Sequence, residues 1–202
     1  MHKSVALFTY EGRRDRWTAT ERIFERMCKL GSWGDAVYYC VDSTYQQAEQ
    51  FLVSGAHLQY VSKDVSHILV CTWDGFIVNP HSWNTDWLHY DVIGAPWPSD
   101  WSNNNRVGNL GFCLLSRKFL EAASKYSSSY AAGPVDVYLC CTQRNFFETS
   151  EGIRYASPQT AAAFALEHTC DEHKVLANAS LGFHGWLDGR NEADYHKKYI
   201  DC

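Results

Sequence analysis

Short apolar runs rich in β-forming residues alternate along this chain with amphipathic stretches of helical period, the texture of an α/β protein. Residues 5–9 (VALFT) read as a strand, and the segment Tyr10-Glu11-Gly12-Arg13-Arg14-Asp15-Arg16 reads as the polar loop that follows. Thr18-Ala19-Thr20-Glu21 has the form of a capping box, with Thr18 set to accept from the Glu21 backbone N–H. Behind it Ile23, Phe24, Met27 and Leu30 share one helix face, Arg22, Arg26 and Lys29 share the other, and Gly31 supplies the stop. Residues 36–41 form a second strand ended by Asp42-Ser43, which completes a β-α-β unit.

A second helix is predicted over 46–53, and residues 67–73 (HILVCTW) make a short apolar strand that ends on Asp74-Gly75. From Gly75 to Ser102 aromatic, proline and glycine residues dominate, which suits ordered loops better than regular elements. Strand character returns over 107–115, Ser116 starts a helix running through Ala123, and Ser127-Ser128-Ser129 with Gly133-Pro134 make a loop. Residues 135–141 form a short helix or strand, and Ser157-Pro158 is a helix start with an N1 proline, continued over 161–168.

Composition narrows the class. At 202 residues, 46% hydrophobic and 20% charged, the chain reads as one globular domain spanning 1–202. A net charge of −5 gives no global attraction to nucleic acid or anionic membrane. The eight cysteines show no CxxC spacing, and Cys40, Cys71, Cys113 and Cys140 lie in apolar runs, so the chain reads as reduced and cytoplasmic, in a bacterial cell or a phage-infected host. No apolar run has the length of a signal peptide or a membrane span. A G-x-S-x-G elbow, a Walker loop and G-x-G-x-x-G are absent, which removes most of the weight from hydrolase, kinase and Rossmann dehydrogenase readings.

Asp74 stands directly after a strand, where an α/β fold holds a metal or a phosphate-bearing ligand, although turn aspartates are common at such places. The Arg13, Arg14 and Arg16 cluster follows the first strand, where guanidinium groups either grip a diphosphate or stay solvated. Trp73, Trp83, Trp87, Trp97 and Trp101 supply indole faces on which a sugar or a nucleobase stacks, or else fill a core. His168-Thr169-Cys170 with His173 matches no zinc template, and the flanking Glu167, Asp171 and Glu172 mark that stretch as a wet helix end.

Four segments taken together resemble a small family catalogued as a domain of unknown function and regarded as glycosyltransferase-like, of GT-A type. They are Trp73-Asp74-Gly75-Phe76 with the run from Tyr90 to Trp97, Val107-Gly108-Asn109-Leu110-Gly111-Phe112 with Ser116-Arg117-Lys118, Asp136-Val137-Tyr138-Leu139-Cys140, and Leu181-Gly182-Phe183-His184-Gly185. The resemblance implies a single-domain, Rossmann-like, nucleotide-sugar-binding α/β fold. It also implies transfer of a sugar from a nucleoside diphosphate sugar to an acceptor hydroxyl, assisted by a divalent ion, Mn2+ or Mg2+, which neutralises the leaving diphosphate.

Carried onto this chain, the resemblance sets Asp74 in the place of a DxD motif whose first aspartate is missing, the sequence here being Thr72-Trp73-Asp74. Asp74 and His184 are then the implied metal ligands, and Asp136 the implied general base, with Val135 where the family has glutamate; a helix N-cap is the other reading of Asp136. Thr9, Arg13, Arg14, Trp73, Asp74, Gly75, Asn109 and Gly111 line the expected donor site, and Asp91, Gly94, Pro96 and Trp97 the expected acceptor pocket. Leu110 replaces the first of two glycines that admit a sugar, an expected narrowing of the pocket. The implied partners are the nucleotide-sugar donor and a glycan or small saccharide acceptor. Two alternatives stand: a hydroxymethylated pyrimidine in phage DNA as acceptor, gripped by Arg13, Arg14, Arg16, Arg106, Arg117 and Lys118, and a carbohydrate- or nucleotide-binding protein without chemistry.

Overall fold

The computed structural model describes residues 2–98, 105–127, 134–168, 170–172, 180–185 and 197. Trp101, Ser102, Ser128, Ser129, Gly133, Thr169 and His173, singled out above, lie outside the described residues. In chain order the elements are β1 (Val5–Glu11), α1 (Trp17–Lys29), β2 (Ala36–Cys40), α2 (Tyr45–Val53), β3 (His67–Cys71), β4 (Gly75–Ile77), β5 (Val92–Ile93), β6 (Cys113–Ser116), α3 (Arg117–Lys125), α4 (Val135–Val137), α5 (Arg144–Ser150), α6 (Pro158–Phe164), β7 (Ala165–Leu166) and β8 (Gly182–His184).

The central sheet has the order β2-β1-β3-β6-β5. β1 runs parallel to β2 and β3, while β6 runs antiparallel to β3 and to β5. Period-two alternation divides its side chains between two cores. Ala6, Phe8, Ile68 and Val70 face one way, onto Leu52, Leu120 and Phe147 of α2, α3 and α5. Val5, Leu7, Leu69 and Cys71 face the other way, onto Ile23 and Met27 of α1 and Phe164 of α6. Helices therefore cover both faces, and the carboxyl ends of β1, β2 and β3 come together at one edge, joined there by the loop leading into β6.

Local chemistry explains both the agreements and the departures. Ser116 and Ser157 cap α3 and α6 by accepting from the N–H groups of Phe119 and Thr160, as their positions predict. The Thr18 box does not form: α1 begins at Trp17, and Thr20 donates its hydroxyl to the Arg16 carbonyl. A complete box forms at α2 instead, between Thr44 and Gln47. The strand expected over 107–115 is confined to Cys113–Ser116, because Asn109 takes a left-handed backbone with φ of 67° and turns the preceding segment into a loop. The helix expected over 161–168 stops at Phe164, and Ala165 and Leu166 extend as β7.

His57 is fully buried against the ring of Phe8. Burial pushes its pKa down to about 4; the Phe51 backbone opposes that shift and the Arg117 charge assists it. The unfolded chain takes up this proton near the ordinary histidine value and the folded chain resists it, so stability falls as pH drops from about 6.5 towards 4. His67 is shifted in the same direction, mainly by burial, so His57 accounts for only part of the slope. Urea unfolding of wild type and His57→Phe should show the wild type losing about 3 kcal/mol more across that window. Parallel stability curves for the two proteins would show that His57 does not resist protonation.

Candidate active site

A second, three-stranded sheet with the order β4-β8-β7 stands at the carboxyl edge of the first. The chain reaches it from β3 through a tight turn in which Thr72 and Gly75 exchange backbone hydrogen bonds. β4 is antiparallel to β8 with Gly75 opposite His184, and β7 is parallel to β8 with Leu166 opposite Phe183. Asp74 precedes Gly75 and Glu167 follows Leu166, so this register brings the two carboxylates to either side of His184. The Gly185 N–H then donates to the Asp74 carbonyl at 2.8 Å, with Gly185 at a φ of 66° that glycine adopts freely.

The imidazole of His184 occupies a slot between glycines. A Cβ on Gly111 would lie 1.9 Å from Nε2, and one on Gly75 would lie 3.0 Å from Cδ2. Nε2 is 3.6 Å from Asp74 Oδ1, and Nδ1 is 3.2 Å from Glu167 Oε1. Thr72 Oγ1 lies 2.9 Å from Asp74 Oδ1 and 3.1 Å from the Gly111 carbonyl, which ties the acidic turn to the glycine loop. Asn109 Oδ1 accepts from the N–H groups of Gly111 and Phe112, which fixes its amide so that Nδ2 faces His184 Nδ1 at 2.6 Å.

Charge within the cluster is coupled. Burial opposes a charge on His184, but Glu167, Asp74 and Asp136 outweigh it and raise the ring's pKa to about 9. Burial likewise pushes Glu167 up, and the hydrogen bond and charge of His184, with Asn109 and His168, bring it below the usual carboxylate value. Asp136 is raised, chiefly by burial and also by Glu167, against the Val137 N–H and the charge of His184. Asp136 thus belongs to the same electrostatic group. It sits in α4, just before a π-helical turn over Tyr138–Thr142, a distortion often found beside functional groups. Two buried atoms of the cluster have no hydrogen-bond partner, His184 Nε2 and Glu167 Oε2.

Of the three loop arginines, Arg16 is the one beside the cluster. Its guanidinium lies 3.5 Å from the centroid of the Trp73 ring and within charge range of Glu11 and Asp74. Arg13 pairs with Asp15, and Arg14 pairs with Asp42 at the end of β2.

Other expected site residues take supporting places. Thr9 is fully buried within β1. Asp91 lies at the amino end of the sheet, away from Asp74: its Oδ1 accepts from Ser116 Oγ at 2.6 Å and its Oδ2 from the Arg154 N–H at 2.8 Å. Trp97, 5% exposed, fills the space over Gly108, while Gly94 abuts the Gly108 carbonyl and Pro96 bridges Val107; the three brace the Asn109 loop from behind. Leu110, 2% exposed, packs into the core, and Gly111 makes room for the His184 imidazole. Glu167, Thr72 and Arg16 complete the cluster. The surroundings of Glu167 read in the sequence as a wet helix end, although the apolar Phe164-Ala165-Leu166 before it is compatible with a strand.

Among the described residues, no group of three or more His, Cys, Asp or Glu forms a metal site by itself, and no helix is long and apolar enough to cross a membrane. None of the seven described cysteines is in a disulfide.

The mixed sheet covered on both faces, with its polar cluster at the carboxyl ends of the parallel strands, is an α/β fold of the GT-A-like kind. The crystal structure of a glycosyltransferase involved in the glycosylation of the major capsid of PBCV-1 has this fold, with a TM-score of 0.56 at 13% identity, covering 98% of this chain and 99% of that one. The chain belongs to the family described as "Protein of unknown function (DUF5672)", which matches residues 28–184. A197 from STIV is a looser structural match, with a TM-score of 0.42 at 13% identity over 76% of this chain and 82% of that one. No curated protein matches the sequence.

The slot makes a steric prediction. Gly111→Ala forces the ring or the loop to move, because the added methyl falls on Nε2. Urea unfolding should show a loss of about 1–3 kcal/mol, the usual cost of overpacking. Unchanged stability together with an unmoved His184 ring in the variant's crystal structure would refute the tight fit.

Proposed function

We propose that this protein is a glycosyltransferase that moves a sugar from a nucleoside diphosphate sugar to an acceptor hydroxyl. The observation that carries the reading is the convergence of Asp74, His184, Glu167 and Asp136 at the carboxyl ends of the strands, where α/β folds bind phosphorylated ligands. Arg16, stacked on Trp73 next to Asp74, is the cation available to the diphosphate.

A divalent ion fits this site as a two-donor centre. Asp74 Oδ1 and the partnerless His184 Nε2 offer one oxygen and one nitrogen, a set suited to Mn2+, and donor phosphate oxygens or water complete the shell. Bound there, the ion supplies charge neutralisation for the leaving diphosphate.

In the reaction the acceptor oxygen bonds to the anomeric carbon while the bond from that carbon to the diphosphate oxygen breaks, its electron pair leaving with the nucleoside diphosphate. The acceptor proton passes to the Asp136 carboxylate. Burial and the nearby Glu167 charge raise the proton affinity of Asp136, which suits it to that task.

The acceptor we favour is a glycan or small saccharide. Of the six basic residues a DNA strip needs, Arg106 is bound by Glu172 at 2.7 Å, Arg117 donates to the Val65 and Ser62 carbonyls ahead of β3, and Lys118 donates to the Gly152 carbonyl after α5. They form no continuous strip with Arg13, Arg14 and Arg16. Trp87 and Trp97 belong to the core, and Trp83 packs against it edge-on to Trp87, part-exposed for contact with a neutral sugar.

The test pairs binding with turnover. Calorimetric titration with a panel of nucleoside diphosphate sugars in the presence of Mn2+ should give binding that Asp74→Ala abolishes. Asp136→Asn should keep that binding and lose roughly two to four powers of ten in turnover on a saccharide panel. Equal affinity in Asp74→Ala removes the donor from this site. Near-normal turnover in Asp136→Asn removes the base, and transfer to hydroxymethylated DNA alone removes the glycan.

A further inference from the structure

The backbone of Asp74 is pinned from both sides. Thr72 and Gly75 exchange hydrogen bonds at 3.0 and 3.2 Å around the two-residue turn Trp73-Asp74, and the Gly185 N–H donates to the Asp74 carbonyl at 2.8 Å. The carboxylate is still free to swing about the side-chain bonds, and His184 Nε2, 3.6 Å from Oδ1, is too distant to hold it by a hydrogen bond. Among the described residues, the hydrogen bond that reaches this carboxylate comes from Thr72 Oγ1, 2.9 Å from Oδ1.

Thr72 is built for that contact. It follows β3 directly and is 1% exposed, and its branched side chain is stiff about the first bond. Its hydroxyl carries one proton and faces two acceptors, Asp74 Oδ1 and the Gly111 carbonyl at 3.1 Å. A carboxylate accepts more strongly than a peptide carbonyl, so the proton goes to Asp74, while Gly111 marks the place of the hydroxyl oxygen. The bond occupies one lone pair of Oδ1 and leaves the second, with both on Oδ2, for a ligand.

We propose that Thr72 is a positioning residue that orients the Asp74 carboxylate toward the donor-site cation, so that one aspartate suffices where a DxD motif has two. The inference rests on the metal-assisted reading, which gives Thr72 no role of its own. Thr72 stands where such a motif would carry its first aspartate. A second carboxylate in that buried place would repel Asp74, whereas a hydroxyl donates to it. Hydrogen bonds from behind a metal-binding carboxylate fix its direction and raise the affinity of the site.

Thr72→Val keeps the shape of the side chain and removes the donor. Thr72→Ser keeps the hydroxyl and is the conservative rescue, and Thr72→Ala is a second variant without the donor. Two measurements on the full chain test the role. Crystal structures grown without metal should show the Asp74 carboxylate in one orientation in wild type and Thr72→Ser, and turned away from Gly111 in Thr72→Val and Thr72→Ala. Electron paramagnetic resonance titration of Mn2+ in the presence of uridine diphosphate should show affinity about ten- to a hundredfold weaker in Thr72→Val and Thr72→Ala, and close to wild type in Thr72→Ser.

A hydroxyl that only supports the fold would lower the urea midpoint of Thr72→Val and leave the cation affinity of the folded protein unchanged. That result, or an Asp74 carboxylate unmoved in Thr72→Val and Thr72→Ala, overturns the role. If wild type binds no Mn2+ even with uridine diphosphate, the metal reading fails by itself, and the crystal structures still decide whether Thr72 sets the direction of Asp74.

Discussion

The pairing of Gly75 with His184 across β4 and β8 is the constraint on which the site depends. Side chains change face with every residue of a strand, so a one-residue slip would turn the imidazole away from both carboxylates. The register is held by interlocking shapes. Phe76 meets Phe183 edge-on, the Phe112 ring lies where Gly182 would carry a Cβ, and the imidazole fills the slot between Gly75 and Gly111. Three chain segments distant in sequence are thereby drawn to one point, although none of them carries a complete motif.

The electrostatics follow from that assembly. His184 buried between Asp74 and Glu167, with Asp136 in charge range, gives a cluster in which three acids surround one imidazole. Arg16 on Trp73 restores part of the balance from the β1 loop. Such a site suits a ligand that combines negative phosphates with a bound cation, and its stake in the fold is direct, since the slot-lining glycines serve packing and chemistry at once. Removing the ring's partners and filling its slot are therefore distinct perturbations. The first changes charge, and the second changes shape.

Much of the fold was legible in the residues. The alternation of Val5, Leu7 and Leu69 with Ala6, Phe8 and Ile68 announces strands buried on both faces, and the Ser116 and Ser157 caps mark real helix starts. Asp74 and His184 were also legible, each standing next to a glycine at the end of an apolar run. What escaped is non-local. Glu167 looks like a solvated helix residue until the two-residue strand before it pairs with β8, and so short a strand carries no period to read. The resemblance implied Asp91 as a pocket residue, yet its carboxylate accepts from Ser116 and the Arg154 N–H at the opposite edge of the sheet. Gly111 and Leu110 illustrate the same limit: a loop sequence does not say which of its sides meets the protein. Here imidazole fills one side and the core receives the other.

The central claim is that one small sheet brings Asp74, His184 and Glu167 together at the proposed donor site. A crystal structure of the protein with uridine diphosphate and Mn2+, with anomalous scattering recorded at the manganese edge, tests it most directly. The account predicts an anomalous peak bonded to the Asp74 carboxylate and to His184 Nε2, with the diphosphate on its far side and Glu167 still on Nδ1. A peak on other carboxylates, or a diphosphate bound away from the carboxyl ends of β1 and β3, would contradict it.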